Sequence, residues 1–117
     1  MEIKRLHVGK RLSEAAIHNG TVYLAGQVAA GNPDADITGQ TREVLESIDK
    51  LLAEAGSDKS RILMTQIYIT DLALFPALNA VWEEWVVPGA TPPRATVQAK
   101  LADPKWLVEM VVTAAQA

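Results

Sequence analysis

A chain of 117 residues with a formal net charge of −3 has room for one hydrophobic core, so residues 1–117 are expected to form a single domain. Its eleven Lys and Arg are scattered rather than gathered into a stripe, which argues against a nucleic-acid partner, and the absence of Cys excludes disulfides, thiolate nucleophiles and Cys-type zinc sites. No apolar run approaches the roughly 20 residues that span a bilayer, and Met1–Lys10 lacks the apolar stretch of a signal peptide, so a cytoplasmic chain without a membrane partner is expected.

Ile3 to Val8 alternates weakly and is read as an outer strand. Leu12–Ile17 and Thr21–Val28 flank Asn19-Gly20, the dipeptide of a tight hairpin, and are expected to pair antiparallel. Ala30–Asp36, with Gly31, Asn32, Pro33 and two aspartates, is a loop. From Thr38 to Ala55, Val44, Leu45, Ile48, Leu51, Leu52 and Ala55 recur at helical spacing, and Gly56 stands where a left-handed cap belongs. The opposite face carries Arg42, Glu43, Glu46, Asp49 and Lys50, a solvated surface with one i,i+4 pair, Glu46–Lys50.

Arg61–Ile69 is apolar on both alternating faces and is placed centrally in a sheet. Asp71 is read as the cap of a second helix bearing Leu74, Leu78, Val81, Trp82 and Trp85, ended by Pro88-Gly89. The runs Arg94–Leu101 and Leu107–Ala115 flank Asp103-Pro104 and are read as an antiparallel hairpin. Two helices with one apolar stripe each should cover one face of a mixed sheet, a two-layer α+β arrangement. The uncovered face is then expected to pack against identical sheets in a homo-oligomer.

Period two puts Arg94, Thr96, Gln98 and Lys100 on one face of their strand, and Glu109 with Leu107, Val111 and Thr113 on one face of the last. Glu109 is a lone acid in an apolar strand, and Arg94 is the strand neighbour to look for as its partner. The pair reads either as a structural salt bridge or as a site in which the Arg94 fork grips a carboxylate while Glu109 positions a water. His18 beside the turn is expected on the surface, Trp82 and Trp85 are expected to pack, and His7 and His18 lack metal-ligand spacing, so no metal is expected. There is no phosphate-cradling glycine loop and no GxSxG elbow.

Ala25-Gly26-Gln27-Val28, Ile67-Tyr68-Ile69-Thr70-Asp71-Leu72, the Phe75, Asn79, Trp82 series, Pro93-Arg94-Ala95-Thr96-Val97 and Val108-Glu109-Met110 together resemble the signature of the reactive intermediate deaminase family, also called Rid or YjgF. The resemblance covers nearly the whole chain. It implies a chorismate-mutase-like α+β fold, a homotrimer with sheets packed inward, clefts between subunits, and hydrolysis of 2-imino acids or their enamines to 2-keto acids and ammonia without metal or organic cofactor. Carried over by position, Arg94 would bind the substrate carboxylate and Glu109 would orient water. The backbone at Gly26 would line the pocket, which Asn79 and Thr96 would line or support.

The chain departs from the pattern twice, with Leu12 where the family has Tyr and Ala25 where it has Ser, so two hydroxyls are missing and the pocket is more apolar. Besides a deaminase of 2-aminoacrylate-type substrates, the residues leave open deamination of a larger catabolic enamine of the aminomuconate type. They also leave open a non-catalytic trimer that binds small carboxylates.

Overall fold

The computed structural model describes residues 2–117. Strands β1 (Lys4–Leu6), β2 (Ala15–His18) and β3 (Thr21–Leu24) precede helix α1 (Ile37–Glu54). Strand β4 (Ile62–Ile69), helix α2 (Phe75–Trp85), and strands β5 (Arg94–Gln98) and β6 (Val108–Ala115) follow. They form one six-stranded mixed sheet in the order β1-β2-β3-β6-β4-β5. Both helices bury their apolar stripes in a single core with one face of that sheet, as the patterning predicts. Among the described residues no helix is long and apolar enough to cross a membrane.

Local chemistry accounts for the element boundaries. Asn19 and Gly20 both have positive φ, 52° and 77°, the backbone of a two-residue I′ hairpin, and they set the β2–β3 register. Asp36 caps α1 through Oδ1, which accepts from the Gly39 N–H at 2.9 Å. At the far end Gly56 takes φ 78°, and the Ser57 N–H donates to the Leu52 carbonyl at 2.8 Å, closing the cap the sequence announced. Gln40, fully buried, donates to the carbonyls of Pro33, Ala35 and Lys105 and accepts from the Leu107 N–H. It thereby ties the loop before α1 to the connection before β6.

Several expectations need correction. Arg94–Leu101 and Leu107–Ala115 do not form a hairpin: β5 runs parallel to β4, while β6 lies between β3 and β4, antiparallel to both. The long Ala99–Leu107 connection carries the chain across β4, where a hairpin needs only two to five residues, and α2 supplies the crossover that parallel strands require. β4 is an interior strand as predicted, but a bulge between Ile62 and Met64 breaks its alternation. Ile62 therefore faces the core with Thr65, Ile67 and Ile69, while Leu63 and Met64 are exposed. Asp71 caps a short 3-10 turn, Leu72–Leu74, and α2 itself starts at Phe75 with Pro76 in its first turn. β3 stops at Leu24, after which Gln27 alone bridges to Met110.

Candidate functional site

Arg94 opens the edge strand β5 directly after Pro92-Pro93, and the Pro93 carbonyl accepts from the Thr65 N–H at 3.0 Å, which fixes where the strand begins. Its side chain runs to α2. There Nη2 donates to Asn79 Oδ1 at 2.5 Å, and the guanidinium carbon lies 5.3 Å from the Phe75 ring centroid and 5.2 Å from that of Trp82. Phe75, Asn79 and Trp82 are spaced i, i+4, i+7, so one stripe of α2 is given over to holding one cation by two π faces and one amide.

What Arg94 lacks is as informative. Its Nη1 is buried without a hydrogen-bond partner, and among the described residues no carboxylate lies within ion-pair distance. Burial holds the Arg94 pKa below its ordinary value, with the charge of Glu83 opposing that shift, and a guanidinium stays protonated through such changes. The result is a fixed, charged fork with an unused donor, and buried donors are rarely left unused. Thr65, opposite Arg94 in β4, likewise has a buried hydroxyl with no partner.

Glu109 lies elsewhere. It pairs with Tyr68 across β6 and β4, half-buried, and its carboxylate packs against the backbone of Gly26. A Cβ on residue 26 would come within 2.9 Å of Glu109 Cδ, closer than real side chains approach, so the present position of the carboxylate depends on glycine here. The Ala25-Gly26-Gln27 segment is held over β6 by backbone bonds: Ala25 N–H to the Glu14 carbonyl, Gln27 N–H to the Met110 carbonyl, and the return from Met110. Gln27 Nε2 also donates to the Ala25 carbonyl and to Glu14.

The cross-strand rows decide how these groups relate. Val112, Thr65 and Arg94 form one row, and the first two are buried under the helices. Glu109, Tyr68 and Val97 form another, on the opposite face. Arg94 and Glu109 are therefore separated by β4 and by the sheet itself, and the salt bridge that the sequence allowed does not form.

Two groups result. Arg94, Asn79 and Thr96 share the helix side, Thr96 two residues along β5 from Arg94. Ala25, Gly26 and Glu109 share a second locality at β6. Leu12 precedes β2 and is exposed, with its carbonyl accepting from the Gly9 N–H.

The sequence marks Trp82 as a packing residue on an apolar helix stripe, which it also is, and carries no sign, beyond the spacing about Asn79, that its ring and that of Phe75 hold a cation. Trp85 packs as expected and donates from Nε1 to Asp49 at 3.0 Å. His18 is exposed, and His7 bonds Glu54 through Nε2 at 2.7 Å. No cluster of three or more potential metal ligands occurs among the described residues.

Known proteins share this arrangement along its whole length. The family model described as Endoribonuclease L-PSP matches residues 2–116. A RutC family protein from Haemophilus ducreyi is 49% identical over 113 residues, covering 97% of this chain and 96% of the relative. The crystal structure of an uncharacterized protein from Pseudomonas aeruginosa superposes with a TM-score of 0.96 at 45% identity, covering 99% of this chain and 100% of that one. A member of the YjgF protein family from Neisseria meningitidis gives 0.94 at 41% identity, over 100% and 97% of the two chains. Matched from end to end in sequence and in fold, the chain belongs to the Rid/YjgF family.

Proposed function

We propose that the protein hydrolyses reactive 2-imino acids or their enamine tautomers, of the 2-aminoacrylate type, to 2-keto acids and ammonia in the cytoplasm. The observation that carries this reading is the Arg94 guanidinium, held by Phe75, Asn79 and Trp82 and left without a carboxylate or a partner for Nη1. Such a fork suits a small carboxylate once the Arg94 side chain shifts to open its buried Nη1. Once the substrate is gripped there, Glu109 directs a water to the C=N carbon and takes its proton, and the amine nitrogen leaves as ammonia. Thr96 and Asn79 support the carboxylate end. Gly26 lets the Glu109 carboxylate approach the backbone that lines the other end, beside Ala25 and Leu12.

A site that uses both groups needs two copies of the chain, because within one copy they stand on opposite faces. The reading therefore includes a homotrimer whose sheets pack inward in a chorismate-mutase-like assembly. Its support is the face bearing Ala16, Tyr23, Thr113, Val111 and Tyr68, which no helix among the described residues covers. Arg94 on the edge strand β5 is reachable by a neighbour approaching that edge.

A second reading, a carboxylate-binding trimer without turnover, draws on Leu12 and Ala25, where the family's Tyr and Ser hydroxyls are missing. One experiment separates the two. An amino-acid oxidase generates the imine in situ, and release of keto acid is followed with and without the protein. Acceleration supports hydrolysis. No acceleration, together with a raised melting temperature in a 2-keto acid, supports binding alone.

A further inference from the structure

Beyond the last residue of β4 the sheet ends in a cavity of about 320 Å³, lined by Thr70, Lys100, Leu101, Asp103, Pro104 and Trp106. Its place in the ladder ties it to Glu109. Glu109 pairs with Tyr68, and the Thr70 N–H donates to the Leu107 carbonyl at 3.0 Å, so Thr70 and Leu107 form the next row on the same face. One such step along a strand is roughly 7 Å. The cavity therefore opens one row along the ladder from the residue proposed to direct water, and it lies at the small end of the size range of ligand pockets.

Its chemistry is asymmetric. Leu101, Pro104 and Trp106 give apolar walls, and Thr70 adds a hydroxyl. Lys100 brings an ammonium that makes no ion pair among the described residues, whereas Lys105 is paired with Asp34. The one acid in the lining, Asp103, is engaged locally, its Oδ1 accepting from the Lys105 N–H at 2.8 Å. A largely apolar cavity with an ammonium that is unpaired among the described residues fits a short hydrocarbon chain with an anionic tip, which Lys100 would draw in against the charge of Asp103.

From this the geometry points to a substrate with two carboxylates: the cavity takes the side chain of the imine, and Lys100 pairs with the acid at its end. This rests on the proposed deaminase reading, in which Arg94 holds the first carboxylate. The reaction is then the hydrolysis of a 2-imino dicarboxylate. Water adds across C=N, the C–N bond breaks, and a 2-oxo dicarboxylate and ammonia are released. The reaction that supplies this substrate must be an oxidation or elimination on an acidic amino acid. The missing Tyr and Ser hydroxyls at Leu12 and Ala25 are consistent with selection by charge at the far end of the substrate instead of by hydrogen bonds near its middle.

The test compares 2-iminoglutarate with 2-iminopentanoate, equal in chain length and generated in situ by oxidases of matching specificity. The wild type is expected to favour the diacid by about fivefold in kcat/KM, the upper range for a partly exposed ion pair. Lys100→Met should bring the ratio near one and Lys100→Arg should retain it, with circular dichroism confirming the fold of each. A ratio near one in the wild type, or one unchanged in Lys100→Met, overturns the proposal. If neither imine is turned over, the deaminase reading fails and calorimetric titration decides the cavity. Tighter binding of 2-oxoglutarate than of 2-oxopentanoate, lost in Lys100→Met, sustains it, and equal affinities overturn it.

Discussion

Arg94 and Glu109 belong to strands on either side of β4 and project from opposite faces of the sheet. A carboxylate grip and a water-directing acid separated in this way cannot act on one small molecule within a single chain. The separation makes the catalytic proposal and the assembly proposal one claim.

Arg94→Met should lower kcat/KM for an imine by about 100-fold or more, since losing a charge-assisted, bidentate grip typically removes several kcal/mol. Stability should stay level or rise. The guanidinium is partly buried with one nitrogen unbonded and no carboxylate to lose, so an apolar side chain of similar length removes a desolvation cost. Thermal unfolding beside steady-state kinetics would show the two effects parting, and a large fall in melting temperature would mean that Arg94 is a structural residue.

Gly26→Ala introduces a methyl group against Glu109 Cδ. The carboxylate arm can swing away, so the stability loss should stay below about 1 kcal/mol while activity falls well beyond what that loss explains. Denaturant titration and kinetics on the same preparation test this. Full activity in the variant would remove Glu109's present orientation from the mechanism.

Gln40→Leu keeps the volume but abandons three carbonyls and the Leu107 N–H in the core. Unsatisfied buried polar groups suggest a loss of about 2–4 kcal/mol in unfolding free energy. Because Gln40 fixes the connection before β6, the midpoint of urea unfolding should move strongly, and a shift worth under about 0.5 kcal/mol would show that water replaces its bonds.

Val111→Lys places a charge in the middle of the uncovered sheet face, between Gln66 and the row of Tyr23 and Thr113. Light scattering should report a trimer for the wild type and a smaller species for the variant. A wild-type monomer would leave the Arg94 and Glu109 halves of the site unjoined.

Much of the architecture was legible in the chain because local chemistry wrote it there. Asn19-Gly20 fixed a hairpin, Gly56 ended α1, and the 3.6-residue periods of both helices carried through to the core. What was not legible was which strands are neighbours. Alternation in Arg94–Gln98 and in Val108–Ala115 says that each is a strand, but pairing is a tertiary choice, decided by the α2 crossover and by the long connection through Asp103-Pro104. The same gap hid the relation between Arg94 and Glu109, since faces can be compared only after strands are ordered. The bulge at Ile62/Met64 breaks the alternation of Arg61–Ile69 for a similar reason. Arg94 stood out through its motif, whereas Trp82 read as ordinary packing, and only the fold sets the guanidinium against its ring and that of Phe75.

Subunit complementation reads the shared site itself. Arg94→Ala and Glu109→Ala proteins, each expected to be inactive in imine hydrolysis, are mixed in equal amounts, unfolded and refolded together. If every site draws its arginine from one chain and its acid from a neighbour, random assortment rebuilds about one quarter of the wild-type sites, and about a quarter of the activity returns. A refolded mixture as inactive as either variant alone would contradict a site shared between subunits.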